Sequence, residues 1–363
     1  MKNTEGMELE RLAHKFVWNL GYLPQSRARL WFEDVEEQTT KLRFEGATDI
    51  DVLGFHYDPF LQESRMMIDC KHESEGVLSQ LLRCTGLRYA FNLNHVLILR
   101  TKAGSRHRAF ADARGLRLMQ INHFIELISK YDDLGSFLWS SYEKVEAMNN
   151  DLPREFKSSV AFPLDNTLLT IDPFRRIKEL ASIINYGVAQ TPDNEITSAS
   201  MTPRKWILFR AFSELARSTV EISGRLISAP PSQLKHDLQV RLIEDVEFKK
   251  AILQKIQTAT DQPLSATGGT IPIAELAPTY TDRLYEAIKL EIANCRKANS
   301  FLRLLDLILH QFILMDKPTD LEWAASTLYL KKHDTEEFIA WIQSMTSSLS
   351  TINGASELFS PLL

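Results

Sequence analysis

The chain has 363 residues, 44% of them hydrophobic and 25% charged, with a formal net charge of −5. That is the composition of an ordinary globular protein of two or three domains at roughly 150 residues each, with no global charge signal for nucleic acid. Three scattered cysteines (Cys70, Cys84, Cys295) exclude a disulfide framework and a paired-cysteine zinc knuckle. No stretch approaches ~18 uncharged apolar residues and the amino terminus is acidic, so neither a membrane span nor a secretory leader is expected, and a reducing, cytoplasmic location is.

Between Met7 and Leu20, apolar residues at Leu9, Leu12, Ala13, Phe16, Val17 and Leu20 mark one face of a helix that Gly21 stops. A polar, partly β-branched stretch from Glu33 to Thr48 precedes a strand from Ile50 to Asp58, and the Asp58-Pro59 turn leads to a second from Arg65 to Lys71. These two read as an antiparallel hairpin. A helix over Val77–Phe91 follows, then HVLILRT from His95 to Thr101, whose continuous apolar run suits a strand buried on both faces. A helix from about Arg106 to Arg114 ends at Gly115, and LRLMQI forms a short last strand. This order is that of a mixed α/β sheet covered by helices.

Periodicity fades over 149–174, where prolines at 153, 163 and 173 suggest a linker. Beyond it strands largely disappear, and helical periods occupy 175–185, 203–227, 233–259, 281–298, 300–315, 321–330 and 335–347. The expected organisation is residues 1–148 as the α/β domain, 149–174 as linker and 175–363 as a helical domain for assembly or targeting.

Charge divides more sharply than the total suggests. Glu33 to Glu75 carries twelve acidic and four basic residues, whereas Arg83 to Arg117 carries eight basic and one acidic. Asp69 and Lys71 stand two apart, on one face of a strand, and Asp51 meets them if the hairpin pairs in that register. A hard divalent cation takes oxygen ligands and keeps several waters, so two aspartates and a backbone carbonyl suffice for Mg²⁺. A lysine beside it can position water or offset developing charge, and together these groups hydrolyse phosphodiesters. In the basic stretch, Arg100, Lys102, Arg106 and Arg108 follow the strand beside the acidic one and are candidates for DNA phosphate contact. His56 and His72 flank the motif, the Cys70 side chain alternates away from the acidic face into packing, and Arg204, Lys205, Arg210 and Arg217 read as a solvated helix face.

On Glu10, Asp51 in TDIDVLGF and Asp69-Cys70-Lys71 in MIDCKH, over about residues 7–125, the chain resembles the PD-(D/E)XK nuclease superfamily. Within it, the likeness is to the Mrr-type restriction endonuclease domain and the archaeal Holliday junction resolvases. The resemblance implies an α/β restriction-endonuclease-like core, a mixed sheet flanked by helices, followed by the mainly α-helical carboxy-terminal domain. It also implies that Asp51, Asp69, the Cys70 carbonyl and Glu10 hold the metal, that Lys71 acts on the water, and that Gln80 stands where many relatives carry a glutamine. Ile50 replaces the proline of the family's name, and Asp49 is a rival ligand to Asp51.

The expected activity is that of a Mg²⁺-dependent endodeoxyribonuclease, with Mn²⁺ able to substitute, as the effector of a restriction or anti-phage defence system. The rival readings are a nuclease-fold module that binds DNA or protein without cutting, and a nuclease for RNA or branched DNA. Expected partners are DNA, a second copy of the chain and a protein held by the helical domain.

Overall fold

A computed structural model of the chain describes residues 4–34, 43–70, 76–131, 134–167, 172–198, 200–243, 278–315, 320–349 and 358–359. They gather into two compact units. The first comprises Met1–Asp58, Gln62–Asp151 and Leu302–Met315, the second Pro59–Leu61, Leu152–Phe301 and Asp316–Leu363.

In the first unit, helix α1 (Thr4–Asn19) leads to strands β1 (Leu23–Asp34), β2 (Arg43–Tyr57) and β3 (Glu63–Asp69). Helix α2 (Val77–Ala90), strand β4 (His95–Arg100), helix α3 (Ser105–Asp112), strand β5 (Arg117–Gln120) and helices α4 (Ile121–Ile128) and α5 (Leu134–Asn150) follow. The sheet runs in the order β1-β2-β3-β4-β5, antiparallel across its first three strands and parallel from β3 to β5. Gly21, at φ +86°, closes α1 in a conformation that side-chain-bearing residues seldom adopt.

Alternation along the strands gives the sheet two different faces. On one, Val52, Met66, Ile68, Cys70, Leu97 and Leu99 pack against Leu9, Ala13, Phe16 and Val17 of α1 and Phe124 and Ile128 of α4. Gly54 lies on this face, where a Cβ would fall 2.5 Å from Val17 Cγ1, so only glycine lets α1 lie so close to β2. Truncating a fully buried side chain such as Phe124 to alanine would cost ~3–5 kcal/mol here. The other face is met by α2 through Gln80, Leu81, Cys84 and Leu87, all buried.

The helix, hairpin, helix and strand order agrees with the sequence pattern, to which the structure adds β1, α4 and α5. Strand β1 has no counterpart in it, because Pro24, Arg27 and Arg29 interrupt the apolar alternation. β1 is an edge strand, where a proline removes no ladder bond that the sheet requires, and it pairs from Leu23↔Phe55 to Asp34↔Arg43. β2 correspondingly begins at Arg43 rather than near Ile50.

The second unit's described elements are all helical. They are α6 (Arg154–Phe156), a π turn (Lys157–Ala161), α7 (Phe162–Thr167), α8 (Pro173–Ala189), α9 (Asp193–Ile196), α10 (Pro203–Leu226), α11 (Leu234–Ile243), α12 (Thr281–Ala293), α13 (Ala298–Met315, shared between the units), α14 (Leu321–Thr327) and α15 (Lys332–Ser348). The stretch 149–174, expected as a linker, instead holds helical turns whose Phe156, Val160 and Leu164 fall four apart and are buried. Pro153 and Pro173 mark helix starts, one at the N-cap and one in the first turn, where the missing N–H has no partner to lose. The helical period expected over 233–259 is described as far as Ile243; the rest lies outside the described residues.

Leu302–Met315 departs from the expected division by belonging to the first unit. Arg303 Nη2 donates to the Trp18 carbonyl at 3.0 Å and its guanidinium lies 4.2 Å from that ring's centroid. Lys144 Nζ donates to the Ile313 carbonyl at 2.5 Å, and His310 bonds to Ser141. Among the described residues α13 is the one helix long and apolar enough to cross a membrane, and 67% of it is buried inside the protein, as in a core helix.

Candidate active site

Strands β2 and β3 pair in the register Val52↔Ile68, Leu53↔Met67 and Gly54↔Met66. One further step sets Asp51 opposite Asp69, and residues opposite each other in an antiparallel pair share a face. Two carboxylates that are 18 residues apart in sequence are thereby brought together. Asp51 Oδ2 accepts the backbone N–H of Cys70 at 2.6 Å, which ties the end of β3 back to β2 where the ladder stops.

Asp69 is buried, and its charge is met by donors from α2. Its Oδ2 accepts from Gln80 Nε2 at 2.6 Å, from Arg83 Nη2 at 2.8 Å and, weakly, from Cys84 Sγ at 3.6 Å. The spacing i, i+3, i+4 places these three residues on one helical face. Gln80 Oε1 in turn accepts from Arg100 Nη1 at 2.7 Å. Arg100 stands two residues beyond Ile98, the β4 partner of Asp69, so the pleat aims both toward α2. A buried carboxylate without such partners would cost several kcal/mol.

The next residue, Cys70, feels the charge of three acidic side chains. The Cys70 thiol is pushed well above its ordinary range, first by burial and then by the negative charges of Asp51, Asp69 and Glu10. That thiol is therefore packing, in agreement with its expected alternation into the core. Glu10 is nevertheless drawn aside. Its Oε2 pairs with Arg27 Nε at 3.0 Å, and Arg27 also reaches Glu146 at 2.7 Å. Arg27 has φ +53°, a left-handed conformation that costs a non-glycine residue ~1–2 kcal/mol, and it lies between Ser26↔Val52 and Ala28↔Ile50, opposite Asp51. Glu10 is thus one half of an ion pair, and it forms no metal-holding group with Asp51 and Asp69.

The structure brings Asp51, Asp69 and Gln80 together and does not bring His56 to them. His56 projects to the α1 side of β2, tilted against Tyr22 at 5.3 Å between ring centroids. Burial lowers its pKa, the charge of Arg303 adds to that, and Asp58 acts in the opposite sense. Lys71 and His72 lie outside the described residues, as does the side chain of Asp49, whose backbone pairs with Arg29.

Among the described residues no group of three or more His, Cys, Asp and Glu side chains is set to hold a metal ion. The chemistry of the donor set still suits a hard divalent cation, since Asp51 and Asp69 offer only oxygen, and the hydrogen bonds described for Asp69 all fall on Oδ2. Oδ1 of Asp69, Asp51 and the Cys70 carbonyl are the groups that would hold one.

The basic stretch is used less uniformly than its sequence suggests. Arg100, expected to touch DNA phosphate, is 5% exposed and committed to Gln80, because the end of β4 lies under α2. Arg88 donates to the Arg114 carbonyl, Arg114 covers the Phe110 ring at 3.7 Å, and Arg117 pairs with Asp112 at 2.9 Å. Lys102, Arg106 and Arg108 are exposed. In the second unit the expected solvated face is not one. Lys205 is 0% exposed and donates to the carbonyls of Ser198 and Ser200, Arg217 pairs with Glu214, and Arg210 pairs with Asp165.

Sequence reasoning missed Arg83, Cys84 and Arg27. The first two could have been found from their helical spacing to Gln80; Arg27 could not, since it lies on a strand with no sequence signal. No protein-family model matches the chain, and no curated protein or solved structure matches it either.

Proposed function

We propose that the chain is a metal-dependent endodeoxyribonuclease with a restriction-endonuclease-like core. The observation that carries the reading is the convergence of Asp51 and Asp69 on one face at the end of the hairpin, with Gln80, Arg83 and Arg100 clustered around Asp69. An electrostatic cluster of this kind, buried at some cost, has a use where a cation and a phosphate must be held together. Mg²⁺ bound there would polarise a phosphoryl oxygen and acidify a water.

In this reading Asp51 and Asp69 bind the cation, and Gln80 holds the Asp69 carboxylate in one orientation, as outer groups commonly do for metal ligands. Lys71, two residues beyond Asp69, orients the attacking water or offsets charge developing on the phosphate. The exposed Lys102, Arg106 and Arg108 receive flanking phosphates of DNA. The helical unit serves assembly or a protein partner, and a second copy of the chain supplies the second cut of a duplex. This is the organisation suited to an effector of restriction or anti-phage defence.

The test is an assay of the purified full chain on linear, circular and single-stranded DNA and on RNA, with Mg²⁺, Mn²⁺ or EDTA, beside Lys71→Ala. DNA cleavage that requires metal and Lys71 is expected. Cleavage that persists in EDTA, or a Lys71→Ala rate equal to wild type, would overturn the reading.

A further inference from the structure

Arg83 differs from the other cations around Asp69 in how it is placed. Its Nη2 lies 2.8 Å from Asp69 Oδ2, yet its side chain is 23% exposed where that of Asp69 is 3% exposed. Water screens a buried carboxylate poorly, so a positive charge resting on it opposes the approach of a second cation. Arg83 also has somewhere to go. It sits at the end of a long stem on α2, partly in solvent, and its planar fork suits phosphate as well as carboxylate. Asp69 keeps its position without it, because Gln80 holds the same oxygen at 2.6 Å and is itself oriented by Arg100 at 2.7 Å.

We propose that Arg83 is a transferable cation, which neutralises Asp69 in the free chain and passes to a phosphate of the nucleic acid when substrate binds, leaving Asp69 to the divalent cation. The inference rests on the nuclease reading and adds to it an energetic coupling between substrate and metal. Linkage makes that coupling reciprocal: duplex tightens metal binding by the factor by which metal tightens duplex binding. Arg83 is then a positioning residue for Asp69 in one state and a phosphate-binding residue in the other.

The test is calorimetric titration of the full chain with Mn²⁺, alone and with a short phosphorothioate duplex that resists cutting. Wild type should bind Mn²⁺ about five-fold or more tightly with duplex than without. Arg83→Gln should bind Mn²⁺ more tightly than wild type in the absence of duplex and gain little when duplex is added, which loss of a merely structural residue would not produce. Arg83→Lys, keeping the charge without the fork, should retain part of the coupling. If wild type binds both ligands but shows no coupling, or Arg83→Gln binds Mn²⁺ no more tightly than wild type, the transfer is wrong while the nuclease reading stands. A wild-type chain that binds Mn²⁺ in neither condition overturns both.

Discussion

Arg100 donates from Nη1 to Gln80 Oε1 at 2.7 Å, and this bond decides which end of the amide faces Asp69. A guanidinium has no acceptor, so it must meet the amide oxygen, and the amide N–H₂ is left to donate to the carboxylate. The chain Arg100, Gln80, Asp69 thus links two buried charges on neighbouring strands through a helix residue. Gln80→Ala leaves both charged groups short of a partner, and a loss of about 2–3 kcal/mol in urea unfolding is expected. Gln80→Glu, which sets a second carboxylate against Asp69, should disturb the site more than an isosteric change otherwise would. A Gln80→Ala chain as stable as wild type would show that the bonds are not made in solution.

Asp69→Asn and Asp51→Asn should each abolish Mg²⁺-dependent cleavage while DNA binding, read by fluorescence anisotropy, persists or improves. Each removes an anionic oxygen from a site with few protein ligands, and also a charge that repels phosphate. Lys71→Ala should lower the rate by ~10²–10³ while Mn²⁺ affinity stays within about tenfold, since an ammonium does not coordinate metal. Asp49→Asn should be milder than Asp51→Asn; an equal loss would make Asp49 a ligand as well.

The exposed cations should be separable from the buried one by salt. Replacing Lys102, Arg106 and Arg108 together with alanine should weaken binding to all sequences alike and make the slope of log affinity against log salt less steep by about 2.7, if each neutralises one phosphate. Arg100→Ala, by contrast, should destabilise the fold and leave that slope nearly unchanged, because its guanidinium is turned to Gln80.

The second unit carries a pH signature of its own. Glu291 is buried between Ser223 Oγ at 2.5 Å and Trp341 Nε1 at 2.9 Å, and burial pushes its carboxyl up to about 8 in spite of the lowering effect of both bonds. Between the ordinary value of 4.5 and about 8 the folded chain keeps a proton that the unfolded chain releases. Stability should therefore fall as pH rises through that window, by up to about 5 kcal/mol, and be fully present only below it. Glu291→Gln should flatten the dependence and raise the melting temperature at pH 8. Parallel pH profiles for the two proteins would refute the assignment.

A fragment of residues 1–150 should fold poorly, although it holds the whole sheet. Leu302–Met315 belongs to the first unit, and without it the ring of Trp18 loses Arg303 and the buried Ser141 loses His310. Co-expressing residues 302–315 as a tethered segment should restore soluble yield. A monodisperse, cooperatively melting 1–150 fragment would show that the segment is dispensable.

Local pattern was enough for α1 and α2, whose buried faces follow a period of 3.6, and for the β2–β3 hairpin and β4, whose apolar runs are bounded by turn residues and are buried on both faces in β4. Sequence offered the pairing of Asp51 with Asp69 only as a condition on the hairpin's register, and the observed register Val52↔Ile68 decides it. Tertiary structure alone decided the rest. β1 is an edge strand broken by Pro24 and two arginines, and only its pairing with β2 identifies it. The commitment of Arg100 to Gln80 and of Glu10 to Arg27 depends on which elements cover which face, a matter of long-range packing that no local period records. The same holds for α13, whose apolar surface shows that it must be buried without saying against what. Its burial against Trp18 and α5 joins positions 285 and 169 residues apart, separations at which sequence carries no geometric signal.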